Sequence, residues 1–181
     1  QRPRLRQEGH DAGKVPPVGL DRVCTVPAVG NCTRARDGQE LHRAGLRVGM
    51  DVVYNHVASP DDFSMNLLVP GYFFRINPAN GDYYNATGCG NEVASERPMV
   101  RKFIVDSVKY WAKEYNLDGF RFDLMGIMDY TTMQQIRSEL NKIDPTIVLL
   151  GEGWNMGEVL PEAQRGSQIN ASKLAGISMF N

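Results

Sequence analysis

An α/β fold built on a parallel sheet is what this sequence predicts, and three observations carry the prediction. Short runs rich in apolar, β-branched and aromatic residues recur at 46–54, 120–124 and 146–150. Amphipathic helical patterns separate them, giving the strand–helix–strand alternation that parallel pairing needs. Each run also ends in a polar cluster: Asn55-His56, Arg121 with Asp123, and Glu152 with Trp154. In parallel sheets the functional side chains collect at the carboxyl ends of the strands.

Residues 1–38 stand apart from this pattern. Their basic residues are nearly all Arg, they hold Pro16-Pro17, and they lack Phe, Tyr and Trp. No period of 3.6 or 2 is sustained there. The segment is read as irregular, with little stable structure: either a flexible extension or a 5′ end translated out of its native frame. From residue 39 the chain is patterned. The run at 46–54 reads as a buried strand. Residues 58–96, with Pro, Gly, Asn and Asp throughout, form a long loop excursion of a length that is usually functional or separately folded. Glu92, Glu96 and Arg97 at its end could pair, but read better as a solvated face. Pro98 opens a helix to residue 115, with Val100, Ile104, Val108, Trp111 and Tyr115 along one face. A strand follows at 120–124. The spacing of Met133, Ile136, Leu140 and Ile143 predicts a helix over 131–143, ended by Asp144-Pro145. Residues 146–150 are the next strand, 158–166 a short helix, and 177–180 the start of one more strand.

The totals bound the function classes. A length of 181 residues suggests a single domain with a real core. A net charge of −1 gives no reason to expect nucleic acid or an anionic membrane as partner. There is no apolar run of about 18 residues for a transmembrane helix. The Arg-rich N-terminus has no apolar stretch behind it, so it does not read as a secretory signal, and localisation is left open. Cys24, Cys32 and Cys89 are odd in number, without metal-ligand spacing, and read as free thiols. Asn-x-Ser/Thr matches at Asn31, Asn85 and Asn170 are short enough to arise by chance.

The chemistry lies in two carboxylates. Asp123 and Glu152 each come directly after a strand run, where a side chain is held at the rim of a sheet. Two carboxylates facing one cleft are what cleavage of a glycosidic bond requires. Arg121, two residues before Asp123, faces the same side of its strand, where a guanidinium fixes the carboxylate and keeps it ionised. Singly, each residue has a plainer reading: Asp123 as a helix cap, Arg121–Asp123 as a structural ion pair, His56 as a hydrogen-bonded histidine, Tyr54 and Trp154 as packing. Asp51 and Asn55 read as structural support at the strand end. The joint pattern at three strand ends is more specific than any one piece.

These residues resemble the α-amylase superfamily, glycoside hydrolase family 13. Asp51-Val-Val-Tyr-Asn-His56 looks like its first signature, Gly119-Phe-Arg-Phe-Asp123 its second and Gly151-Glu-Gly-Trp154 its third. Within the superfamily, the stretch from Gly90 through Arg97-Pro98 to Trp111, Asp123-Leu-Met-Gly126 and Gly151-Glu-Gly-Trp154 are similar to type I pullulanases. The resemblance covers residues 39–181 and implies a partial (β/α)8 TIM-type barrel of about three to four of the eight strand–helix units. It implies a retaining hydrolase of α-1,6-glucosidic branch linkages in pullulan, amylopectin or limit dextrins. Asp123 would be the nucleophile and Glu152 the acid/base, its proton retained through burial or a neighbouring carboxylate. Arg121, His56, Tyr54 and Trp154 would bind the sugar, Tyr54 by stacking.

The partner implied is an α-glucan. No cofactor is required and no metal ligand is assigned; some relatives bind Ca²⁺, but no dense oxygen-ligand loop of the Asp-x-Asp-x-Asp-Gly kind is present. The family's Tyr-Asn-Trp-Gly-Tyr-Asp-Pro segment has no counterpart in residues 1–38, and the family's fourth signature, a His-Asp pair that supplies the third carboxylate downstream of the third signature, would fall after Asn181. The isolated fragment is therefore expected to be inactive and, with unpaired strand edges, unstable. Two other readings stay open: an isoamylase-like or α-1,4-acting member of the superfamily, and a carbohydrate-binding relic without chemistry.

Overall fold

The computed structural model describes residues 23–26 and 38–181. Five strands form one sheet in the order β1-β2-β3-β4-β5, every neighbouring pair parallel. They are β1 (Val23–Val26), β2 (Arg47–Val52), β3 (Gly119–Phe122), β4 (Val148–Gly151) and β5 (Ser178–Met179). Helical residues 38–43 (α1) precede β2. The short helix α2 (Ser64–Leu68) and the long helix α3 (Pro98–Tyr115) lie between β2 and β3, and α4 (Tyr130–Asn141) lies between β3 and β4. The expected α/β class with a parallel sheet is thus what the chain adopts.

Alternation along the strands builds two different faces. Val48, Met50 and Val52 of β2, Phe120 and Phe122 of β3 and Leu149 of β4 are buried. They share one core with Val100, Ile104, Val105 and Val108 of α3 and Met133, Ile136 and Leu140 of α4. Asp51 and Arg121 point to the other face. The register sets them side by side, with Asp51 opposite Arg121 and Val52 opposite Phe122.

The helix ends follow local chemistry. Pro98 occupies the first turn of α3, where its missing N–H costs no helical hydrogen bond, and Asn116 closes the helix in the left-handed conformation, φ 49°. α4 starts one residue earlier than the apolar spacing predicts, because the Asp129 side chain caps it by accepting from the Thr132 amide. It ends at Asn141, ahead of Asp144-Pro145. The short helix expected at 158–166 is a 3₁₀ turn, Glu162–Gln164, followed by a second, Gln168–Lys173.

Two expectations need correction. Within the segment read as irregular, Val23–Val26 form a strand in register with Arg47–Met50. A run of four with three β-branched residues was too short to register as a strand signal by pattern alone; the rest of residues 1–37 lies outside the described residues. Glu92, Glu96 and Arg97 are not a solvated face. Glu92 is 1% exposed and pairs with Arg75 at 3.1 Å, and Glu96 pairs with the same guanidinium at 2.9 Å. Arg97 donates to the carbonyls of Gly71 and Tyr72. The partner, Arg75, sits in the middle of the excursion, too far along the chain for helix-start spacing to reveal it.

The excursion is therefore anchored. Phe63, Phe73, Phe74 and Phe103 pack edge to face, with Phe63 and Phe73 centroids 4.8 Å apart. Isolated bridges join Phe74 to Val93 and Ile76 to Tyr83. Cys89 on this excursion is an exposed free thiol, while the thiols of Cys24 and Cys32 lie outside the described residues. Among the described residues no helix is long and apolar enough to cross a membrane.

Candidate active site

The carboxyl ends of β2, β3 and β4 converge on one guanidinium. Arg121 Nη1 donates to Asp51 Oδ1 at 2.8 Å and to Asp123 Oδ1 at 3.0 Å, and Nη2 donates to Glu152 Oε1 at 2.5 Å. Burial pushes this guanidinium's pKa down, but the hydrogen bonds and charges of Asp51, Asp123 and Glu152 outweigh that and raise it above its ordinary value. Arg121 is therefore a fixed cation facing three acids. Asp51, expected to support the strand end, is one of its three partners.

Asn55 links two further groups. It is fully buried, and its Nδ2 donates to the Asp123 carbonyl at 2.7 Å and to Asp123 Oδ2 at 3.2 Å. Its amide nitrogen being spent on Asp123, its Oδ1 faces His56 Nδ1 at 2.6 Å and accepts from it. That bond places the proton of a neutral His56 on Nδ1 and leaves Nε2 as an acceptor. The chain Asp123–Asn55–His56 thus orients the imidazole from the same residue that fixes the carboxylate.

Glu152 is held at both oxygens. Besides Arg121 on Oε1, the Leu124 amide donates to Oε2 at 3.1 Å. The Glu152 side chain is 20% exposed, and Asp123 sits on the same guanidinium. Leu124 adopts the left-handed conformation, φ 41° and ψ 44°, which costs a leucine about 1–2 kcal/mol. The turn is locked from behind. Gly126 N donates to the Glu152 carbonyl at 2.9 Å, and a Cβ on Gly126 would lie 1.8 Å from the Trp154 carbonyl oxygen. Only glycine permits that approach.

Of the expected site residues, the structure brings together Asp51, Asn55, His56, Arg121, Asp123 and Glu152. Trp154 follows two residues after Glu152 and is half-buried. Tyr54 goes elsewhere. Its hydroxyl hydrogen-bonds Ser107 of α3 at 2.7 Å and its ring leans on Phe122, centroids 6.1 Å apart. Burial raises its pKa. Tyr54, two residues beyond the end of β2, belongs to the layer between sheet and helices. The expectation that it stacks on a sugar is corrected accordingly.

Phe180, which the sequence did not single out, is present at the site. Its ring lies 5.8 Å from the Arg121 guanidinium carbon, within cation–π reach. An apolar cavity of about 610 Å³ lies away from this cluster, between α2 and α3, and includes Met65, Phe73, Met99 and Phe103 but none of the three carboxylates.

The class these features define is an α/β protein with an arginine-bridged carboxylate site at the carboxyl end of a parallel sheet. The chain is similar to known proteins. No protein-family model matches the chain. The pullulanase of Bacillus subtilis is 49% identical over 141 residues, which is 78% of this chain and 20% of that protein. Pullulanase 1, chloroplastic, of Arabidopsis thaliana is 43% identical over 159 residues, covering 79% of this chain and 16% of its own length. Among solved structures, Paenibacillus barengoltzii pullulanase in complex with maltohexaose and α-cyclodextrin superposes with a TM-score of 0.80 at 53% identity, over 82% of this chain and 23% of that one. Over about four fifths of its length the chain is thus similar to pullulanases. It spans a fifth or less of the length of these curated relatives.

Proposed function

We propose that the chain carries part of the active site of a retaining debranching glycosidase. Its substrates would be α-glucans with α-1,6-glucosidic linkages: pullulan, amylopectin or limit dextrins. The observation that supports this most is the single Arg121 fork touching both Asp123 and Glu152. A shared guanidinium keeps the two acids close, as suits a retaining pair at about 5–5.5 Å rather than an inverting one at about 6.5–9.5 Å. The five-stranded parallel sheet, with helices on one face and polar strand ends, is what part of a (β/α)8 barrel would supply, one strand more than the four expected from the sequence, and the match to solved pullulanases supports that reading.

In the proposed reaction an Asp123 oxygen attacks the anomeric carbon as the glycosidic C–O bond breaks. The leaving oxygen takes a proton from Glu152, giving a free hydroxyl and a glycosyl–Asp123 ester. Glu152, now a carboxylate, takes a proton from water. The resulting hydroxide opens the ester and restores both acids. Two carboxylates and water balance the reaction without a cofactor. His56 Nε2 would accept from a sugar hydroxyl, and Trp154 would offer a flat face beside the acid.

Two measurements test this. Calorimetry of the chain with maltotriose should show binding that His56→Ala and Trp154→Ala weaken. Hydrolysis is read in a hybrid in which the residues matched to the Bacillus relative replace that protein's own. Asp123→Asn and Glu152→Gln should each lower pullulan turnover by at least about 100-fold, the scale of an acid–base or nucleophilic group. Unchanged turnover in either variant rejects the assigned role. A hybrid cutting amylose faster than pullulan would favour the α-1,4-acting alternative. Maltotriose binding with no turnover in the hybrid would favour the binding relic.

A further inference from the structure

The loop after β3 contains an unusual backbone choice with a specific consequence for one oxygen atom. Among the described residues only two that are not glycine have positive φ, Asn116 and Leu124. Asn116 ends a helix, where that conformation is ordinary. Leu124 ends no helix; it is the residue directly after Asp123, and its amide is the one that reaches Glu152 Oε2 at 3.1 Å. The amides of Asp123 and Gly126 are committed elsewhere. Asp123 N donates to the Val52 carbonyl at 3.0 Å and Gly126 N to the Glu152 carbonyl at 2.9 Å. Gly126 is pressed against Trp154, and a Cβ on Gly151 would lie 2.7–2.8 Å from Met125 side-chain atoms. The surroundings thus over-determine the turn, which is how a strained residue persists at a functional site.

We propose that the Leu124 backbone amide is a positioning group for Glu152. It pins Oε2, so that Oε1, on the side of Arg121 and Asp123, is the oxygen that exchanges the proton with the leaving glycosidic oxygen. The proposal rests on the reading of Glu152 as the acid and adds a division of labour between its two oxygens. Oε2 is held by a donor that belongs to the backbone and cannot rotate away. Oε1 is held by a side chain with two other carboxylates to bind, Asp51 and Asp123, and that side chain can release it. The strained turn of β3 thereby sets the rotamer of a residue on β4.

The test uses the full chain with isotope-labelled Glu and Leu, followed by nuclear magnetic resonance. In one arm Leu124 is replaced by its α-hydroxy analogue, which removes the N–H and keeps the side chain. Glu152 should then pass from one side-chain rotamer to an average of several, while the Asp123 signals stay in place. In a second arm, Glu152→Gln should shift the Leu124 amide resonance and speed its hydrogen exchange roughly 2- to 10-fold, the worth of one hydrogen bond. In a third, Leu124→Gly keeps the N–H at a φ that glycine adopts freely, and the Glu152 rotamer should be unchanged.

A Glu152 side chain that stays fixed without the N–H overturns the proposal, as does a Leu124 amide indifferent to Glu152→Gln. A rotamer freed by Leu124→Gly also overturns it, since the leucine side chain rather than the amide would then be the support. If the ester chain does not fold, the Glu152→Gln arm decides. Failure of the acid assignment is separate: it appears as unchanged pullulan turnover of the Glu152→Gln hybrid and leaves these signatures intact.

Discussion

Two arginines in this protein each gather carboxylates, and the contrast between them separates a structural ion cluster from a chemical one. Arg75 is 4% exposed and saturated. Its Nε and Nη2 donate to Glu96, and its Nη1 donates to Glu92 at 3.1 Å and to the Ile127 carbonyl at 3.0 Å. The remaining Glu92 oxygen accepts from the Ala86 amide at 2.7 Å. Arg121 has a side-chain exposure of 19% and faces three carboxylates, of which Asp51 is 44% exposed. Burial pushes both guanidinium pKa values down, and in both the neighbouring carboxylates more than reverse it. What differs is access and stoichiometry. Arg75 and Glu92 are closed off from any ligand, and Glu96, though 30% exposed, spends its carboxylate on that guanidinium. The sheet-end cluster keeps an excess of acid at a solvent-accessible rim, which is the condition for chemistry.

The largest effect expected from this contrast is on stability. Arg75→Ala leaves Glu92 buried without its cation and detaches the excursion from the turn at Ile127. Removing one partner of a buried pair costs about 3–5 kcal/mol. The measurement is the urea midpoint of the chain by circular dichroism. A loss under about 1 kcal/mol would mean that the cluster is not the clasp its burial suggests.

The same two clusters show what was legible in the sequence. Asp123, Arg121 and Glu152 could be found because local order carries them: each closes a short strand run, and strand alternation puts Arg121 and Asp123 on one face. The long helix was legible from Pro98 and its apolar spacing. The partnership of Arg75 with Glu92 and Glu96 was not, because it spans 17 and 21 residues through an irregular excursion with no periodicity. Tyr54 was misplaced for a related reason. A motif names a residue, but the side it faces depends on where the strand stops, and β2 ends at Val52. The left-handed turn at Leu124 had no signal, since leucine is among the residues least suited to it. Phe180 meets Arg121 only through the β4–β5 pairing, which no local pattern reveals.

Arg121→Ala should behave in the opposite way to Arg75→Ala. Its ion pairs are partly exposed, where such pairs contribute about 0–1 kcal/mol. The urea midpoint should therefore move little. Maltotriose affinity should fall clearly, because Asp51, Asp123 and Glu152 lose the group that sets their positions. Calorimetry and unfolding on the same preparation read both. If Arg121→Ala destabilises the chain as much as Arg75→Ala does, the two clusters are of one kind and the contrast fails.

The smallest effect belongs to a third cluster with inverted stoichiometry, one carboxylate between two cations. Glu139 of α4 pairs with Lys109 of α3 at 2.8 Å and also with Lys142. The hydrogen bonds from Lys109 and Lys142 hold its pKa at about 2, below the ordinary 4.5. A carboxylate whose folded value lies below its unfolded one stabilises the fold in full above the unfolded value. That contribution declines as pH falls from about 4.5 towards about 2, where the folded form finally takes up its proton. Glu139→Gln should remove this part of the acid dependence, so the stability gap between wild type and variant should narrow across that window and stay constant above it. Salt should shrink the gap as well, since surface pairs are screened. A gap that is the same at pH 3 as at pH 6 would show that Glu139 ties α3 to α4 by packing rather than by charge.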